Sequence, residues 1–343
     1  MFESISAPTG PNWKLRIVVA AVIAAIAWGV VSLWRMTHMP GQSYAGTLPP
    51  LSTKQTDIAN RLSDQVQYLS TTIGERNLER KGSLQATENY LRRVLAQSGY
   101  SDTETTYTVG DQSACNLEAD LRGSEASAGI IVVGAHYDSV TGTVGANDNA
   151  SGVAATLELA RLLKDVRPRR SIRFVFFVNE EPPYFQTPQM GSLVYARQLR
   201  QNAVPVVAMI SLETIGYYSD TPGSQKYPPL FSWFYPNRGN FIGFVGNTES
   251  RALAIKAVRQ FRESVAFPSE GVSAAASLPG IGWSDHWSFW QQGYPAIMIT
   301  DTAPFRYPYY HTTSDTADKL DFGRMARIVD GLQSVVIGLA NGQ

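Results

Sequence analysis

IVVGAHYDSVTGTVGANDNASG, running from Ile131 to Gly152, is the stretch whose reading decides the fold. It opens as a short β-branched run, Ile131, Val132 and Val133, which reads as a buried strand. The run passes into His136 and Asp138, then a Gly- and Thr-rich loop, then Asn147-Asp148-Asn149. Ala150-Ser151-Gly152 opens an Ala- and Leu-rich helix. An imidazole and two carboxylates therefore lie between the end of a strand and the start of a helix, where open α/β sheets build their sites. The stretch reads as half of a metal site.

Composition limits what the other half can be. The 343 residues include one cysteine, Cys115, and four histidines, His38, His136, His286 and His311. A Cys-based zinc site and an internal disulfide are both excluded, so a metal must be held by His and carboxylates. Hydrophobic residues make up 44% and charged residues 17%, enough for a sizeable core. The formal net charge is zero, which argues against a nucleic-acid partner.

Outward from the central stretch, the chain divides into four parts. Residues 1–16 form a short polar tail. Residues 17–35 are an apolar run, uncharged from Ile17 to Trp34, between Lys14/Arg16 and Arg35, and the length spans a bilayer. It has no polar face, which disfavours a buried core helix. A cleaved signal peptide is the rival to an uncleaved anchor, because Ser43-Tyr44-Ala45 offers a small-x-small site, although a late one. The anchor is the favoured reading. The basic flanks place the N-terminus in the cytosol and the rest outside it, in a periplasm, at a cell surface or in an organelle lumen, or secreted if the segment is cleaved. Residues 36–53 form a linker, with three prolines and two glycines between Met39 and Ser52. Residues 54–343 are the folded domain.

Within that domain the periodicity predicts helices over about 54–70, 82–97, 150–164, 191–200, 250–263 and 322–339. Strands are expected at 104–109 and 115–122, antiparallel to one another, and at 129–135, 171–179, 206–212, 241–246 and 296–300. Residues 220–240 read as an irregular excursion, and 182–190, 268–282 and 303–318 read as loops. The alternation of strand and helix implies an α/β fold, a mostly parallel central sheet with helices on both faces. No GxGxxG follows a strand, and there is no P-loop and no G-x-S-x-G elbow.

Four segments share one grammar, an apolar strand with a metal-capable residue at or beyond its carboxyl end. They contribute His136 with Asp148, Glu180 with Glu181, Glu213, and His311 in the loop after the last strand. Parallel strands deliver their carboxyl ends to one edge, so these groups can converge. Taken singly, each has a plainer reading. Glu213 could cap a helix, His136 could be a satisfied core histidine, and Asp148 could shape a turn. The doublet Glu180-Glu181 resists that, because two acids at the end of a buried strand are costly unless paired or metal-bound.

The motifs GAHYDS (134–139), GANDNASG (145–152), NEE (179–181), LETIGY (212–217), SDHWSFWQQGYPAIMITD (284–301) and YYHTTSDT (309–316), in this order, resemble the co-catalytic di-zinc aminopeptidases. The likeness is to aminopeptidases of the S and Y types, whose relatives include glutamate carboxypeptidase and glutaminyl cyclase. It covers about Leu84 to Leu339 and implies a zinc-exopeptidase fold, phosphorylase/hydrolase-like, with two Zn2+ per chain. By resemblance, His136 and Glu213 bind one zinc, Glu181 and His311 the other, and Asp148 bridges both. Glu180 is the general base, Asp138 orients His136, and Tyr310 stabilises the tetrahedral intermediate. Asp285 and Asp315 shape the site, and His286 is structural. Two departures stand out. Glu213 occupies a position where many members have Asp, and PPYFQTPQM (182–190) replaces a short turn, as a rigid pocket wall or as a surface loop.

The resulting expectation is a membrane-anchored, metal-dependent exopeptidase, most simply an aminopeptidase acting on peptide or protein N-termini. No basic cluster marks a carboxylate-binding pocket, although Arg238 and Arg306 lie in loops within reach. The alternatives are a glutaminyl cyclase-like acyltransferase or a carboxypeptidase of the same fold, and a non-catalytic binding module.

Overall fold

In the computed structural model of the chain, residues 13–229 and 231–342 are described. The tail read at 1–16 lies mostly outside them. Two units follow each other, meeting between His38 and Met39. The first contains helix α1 (Trp13–Thr37). Its stretch Leu15–Thr37 is long and apolar enough to cross a membrane, at about 1.5 Å per residue.

The second unit begins where the linker was expected. Residues 39–52 lie bound along it: Arg262 donates to the carbonyls of Pro40 and Gly41, the Ser269 amide donates to the Ser43 hydroxyl, and Arg327 donates to Pro49. Helix α2 (Thr53–Gln67) starts with a capping box, in which Ser52 and Gln55 satisfy each other's backbone amides. It buries Ile58, Leu62 and Val66, then passes through a wider turn that stops at Gly74. Helix α3 (Ser83–Gln97) follows.

The rest alternates: β1 (Asp102–Val109), β2 (Gln112–Leu121), β3 (Ile130–His136), α4 (Gly152–Leu163), β4 (Ser171–Phe177), α5 (Gly191–Gln201), β5 (Val206–Glu213), β6 (Ile242–Asn247), α6 (Arg251–Ser264), β7 (Ser269–Ala274), α7 (His286–Trp290), β8 (Ala296–Thr300), α8 (Ala303–Arg306) and α9 (Phe322–Asn341). One sheet has the order β1-β2-β4-β3-β5-β8-β6-β7. Its centre, β4-β3-β5-β8, is parallel. The β1–β2, β2–β4 and β6–β8 pairs are antiparallel, so the sheet is mixed at its flanks. Ile131, Val133 and Ala135 face the large core beneath α2, α4 and α9, while Ile130 and Val132 face a smaller core under α5 and α7. Helices thus cover both faces.

Two elements fall in segments that read as loops. Strand β7 has the sequence SEGVSA, too polar and glycine-bearing to announce itself. It forms because β6 offers a parallel edge and because Met39 packs on Gly271, where an added Cβ would come within 2.7 Å of the Met39 Cγ. Helix α8 is a single turn after β8.

Candidate metal centre

The parallel centre of the sheet sends three strand ends to one edge. His136 is the last residue of β3 and Glu213 the last of β5. Glu180 and Glu181 follow β4 after a short extension, and Asp148 comes from the turn that opens α4. Gly152 lets that turn approach β5, since a Cβ there would stand 2.3 Å from the Leu212 carbonyl. His311 is carried by the long segment between α8 and α9. Of these residues only His311 is exposed.

These side chains converge. His136 Nε2 lies 3.3 Å from Asp148 Oδ1, 3.2 Å from Glu213 Oε2 and 3.9 Å from Glu180 Oε2. His311 Nε2 lies 3.0 Å from Asp148 Oδ2 and 3.3 Å from Glu181 Oε2. The result is two ligand groups, His136/Asp148/Glu213 and Asp148/Glu181/His311, each with its donor atoms within 4.8 Å of one another. Asp148 belongs to both, one oxygen to each.

The electrostatics suit a cation. Burial, together with Glu213 and Glu181, pushes the Glu180 carboxyl well above its ordinary range against the pull of His136. Glu181 is raised to about 8 by burial and by Asp148. His136 resists burial and is held well above its usual value by Glu213 and Glu180. His311, likewise opposed by burial, is brought to about 10 by its bonds to Asp148 and Glu181. Four carboxylates and two imidazoles crowded into one site compete for protons, and a bound cation would relieve that crowding. The buried His136 Nε2 and Asp148 Oδ1 also lack a hydrogen-bond partner. Orphaned donor atoms aimed at one point, in an N/O set with no sulfur, fit a divalent ion such as zinc.

A supporting shell holds the donors in place. Asp138 accepts the amides of Glu180 and Glu181 at 3.2 and 3.1 Å, and its own carbonyl lies 3.2 Å from His136 Nδ1. Asp315 accepts the amides of Asn147 and Asp148 and the Tyr307 hydroxyl. Tyr310 stacks on the His311 ring, the centroids 3.8 Å apart. Its phenol is driven well above its usual value by burial and then by the surrounding carboxylates. Asp285 is buried without being in either ligand group, raised to about 7 chiefly by burial. His286 donates from Nε2 to the Ile281 carbonyl at 2.7 Å and packs edge-on against Trp290.

Sequence reading overlooked several contributors. Ser284 donates to Glu213 Oε2 at 2.7 Å and contacts Ser211 at 2.8 Å. Asn149 donates to the Leu212 carbonyl and accepts the amides of Gly152 and Thr214, which ties the Asp148 turn to the end of β5. Asn147 does the same toward Asp301 and Gly216. The asparagines flanking Asp148 were the available signal. Arg76 had none. It is fully buried and gives its guanidinium to the carbonyls of Leu69, Gly74, Tyr137, Val144 and Gly145.

Beside Glu213 and Tyr310 opens an apolar, aromatic cavity that is continuous with solvent. Its walls come from the excursion (Tyr227, Phe231, Tyr235), from Ile281 and Trp283, and from Pro304 and Phe305. The segment 182–190 does not line it. That segment sits against the surface, with Gln186 bonded to the Gly282 carbonyl. Arg306 is committed to Gln225 and to the Phe241 carbonyl, and among the described lining residues there is no Lys, Arg or His.

The model of peptidase family M28 matches residues 116–336 of the chain. An uncharacterized protein, YfbL of Escherichia coli (strain K12), is 40% identical over 304 residues, covering 85% of this chain and 91% of that one. The chain spans only about half the length of the next curated relatives it matches. The structure of a zinc aminopeptidase from Bacillus subtilis superposes with a TM-score of 0.66 at 15% identity, covering 81% of this chain and 94% of that one. A glutaminyl cyclase from Fimbriiglobus ruber gives 0.61 at 19% identity, covering 87% and 99%. At these identities the two structures speak for the fold alone.

Proposed function

The chain belongs to peptidase family M28 and is a metal-dependent peptidase, and from that premise we propose that it is a two-zinc aminopeptidase. The observation that carries the proposal is the sharing of Asp148 between two ligand groups. His136 and Glu213 would hold one ion, Glu181 and His311 the other, with Asp148 common to both. When bound there, zinc supplies Lewis acidity that polarises a carbonyl oxygen and acidifies water.

The chain's own residues do the rest. Glu180 projects into the site beside His136, and its raised carboxyl suits a group that must take a proton from the attacking water and return it to the leaving amine. Asp138 fixes the His136 ring and, through two amides, the direction of Glu180 and Glu181. Tyr310 supplies a hydroxyl from the cavity side to charge developing on the carbonyl oxygen. Within the family, a free amino terminus is favoured over a free carboxylate as the recognised end. The cavity offers carboxylates to a cation and no cation to a carboxylate. Helix α1 would anchor this activity in a membrane, with the peptidase outside the cytosol.

The test uses the full chain in detergent and a peptide library with free and acetylated N-termini, read by mass. Loss of single N-terminal residues from free peptides only, abolished by a chelator, is the expected result. C-terminal trimming would make the chain a carboxypeptidase, and N-terminal pyroglutamate without cleavage would make it a cyclase. Either outcome refutes the proposal.

A further inference from the structure

Strand register links the proposed metal centre to a second carboxylate. Glu213 on β5 is paired with Thr300 on β8, Thr300 with Gly243 on β6, and Gly243 with Glu270 on β7. Residues opposite one another in a sheet share a face, and all four line the aromatic cavity. Three strand spacings of about 4.8 Å put Glu270 roughly 14 Å across the sheet from Glu213. Gly243, with no side chain, keeps the floor open between Thr300 and Glu270. We propose, resting on the aminopeptidase reading, that this cavity receives the side chain of the substrate's N-terminal residue and that Glu270 selects a lysine or arginine.

The dimensions suit a long side chain. An extended lysine or arginine reaches about 6–7 Å from Cα to its charged end, at the usual bond lengths. A charge-assisted contact adds roughly 3 Å. What remains of the span accommodates the substrate's own Cα and amine beside Glu213. A leucine side chain stops well short of Glu270. The walls suit the same ligand: Tyr227, Phe231, Tyr235 and Phe305 cover an aliphatic stem and attract a cation to their faces.

Glu270 can also take such a partner alongside the two it has. Arg262 stands 3.8 Å away as an ion-pair partner, beyond hydrogen-bond distance, and the Ser43 side chain hydrogen-bonds to the carboxylate. Arg262 directs its donors to the carbonyls of Pro40, Gly41 and Ser269 and to the Ser269 hydroxyl. A carboxylate has about four acceptor positions, so Glu270, which is half-buried, keeps capacity for a ligand beside these partners.

The experiment compares coumarin amides of lysine with norleucine, and of arginine with citrulline, on the full chain in detergent. Each pair matches the stem; norleucine removes the charged group, and citrulline removes the charge with the shape nearly kept. The expected result is kcat/KM at least tenfold higher for the charged member of each pair, with Glu270→Gln reducing that ratio at least tenfold. The ratio is independent of how much of the variant folds, and the wild-type ratio stands by itself. Equal or better cleavage of norleucine, citrulline or phenylalanine amides by the wild type overturns the cation subsite while leaving the aminopeptidase reading intact. An unchanged ratio in Glu270→Gln overturns it too. Cleavage of none of the amides overturns the aminopeptidase reading, and the subsite with it.

Discussion

Replacing Arg76 by methionine should loosen the loop that carries the site while leaving every proposed metal ligand in place. Five carbonyls receive the guanidinium: Tyr137 at 2.8 Å, Leu69 at 3.2 Å, Gly74 at 2.8 Å, Val144 at 2.6 Å and Gly145 at 2.9 Å. Two of them keep another donor, because the Gly74 amide also reaches Leu69 and the Ala150 amide reaches Gly145. Tyr137, Gly74 and Val144 would then lack a donor among the described residues. Gly74 and Val144 are part-buried and can turn to water, so the buried Tyr137 carbonyl sets the cost, about 1–3 kcal/mol for a buried group left unpaired. The charge matters as well. Burial lowers the Arg76 pKa to about 10, yet it stays ionised at neutral pH, facing Asp315, Asp138, Asp148 and Glu181. Urea unfolding of the full chain in detergent, followed by tryptophan fluorescence, measures the loss, and competition with a zinc-binding dye measures metal affinity. Arg76→Lys keeps the charge with at most three donors and should fall between wild type and Arg76→Met. A loss under 1 kcal/mol in Arg76→Met, with unchanged zinc affinity, would refute the role assigned to these five bonds.

Glu180→Gln should lower turnover by a factor on the order of 10²–10⁴ with zinc content unchanged, measured by elemental analysis beside the peptide assay; near-normal activity would remove Glu180 as the base. Ser284→Ala removes the 2.7 Å bond to Glu213 and should weaken zinc binding about 10–100-fold, read by dye competition, with little change in overall stability. His286 is buried, and its pKa is lowered from 6.5 to about 4, chiefly by burial. Below pH 6.5 the unfolded chain takes up a proton that the folded chain refuses until about pH 4. Stability from this residue is therefore complete above pH 6.5 and lost as pH falls to 4, by about 3 kcal/mol. His286→Gln should flatten that part of the stability-versus-pH curve, and an unchanged slope would count against it.

The portions of this molecule that could be read in advance are local in sequence. β3, β4, β5 and β8 are short apolar runs bounded by polar turns, and a buried strand leaves that signature whatever it pairs with. The ligand-capable residues stand at or just beyond the ends of such runs, so their convergence follows once those strands are parallel. By the same logic β7 escaped notice, since SEGVSA has neither alternation nor bulk and exists as a strand only because β6 and Met39 are there to meet it.

The sequence by itself determined the α/β class, the apolar N-terminal helix and the set of imidazoles and carboxylates proposed for the metals. These depend on residue type and on spacing along one chain segment. The tertiary structure decided what lies between segments. It brought Ser284 to Glu213 and wrapped five carbonyls around Arg76. It also set Glu213, Thr300, Gly243 and Glu270 in one row, although their strands run β5-β8-β6-β7 across the sheet. Strand order and register arise from packing between distant segments, and periodicity within a segment carries no record of its neighbour.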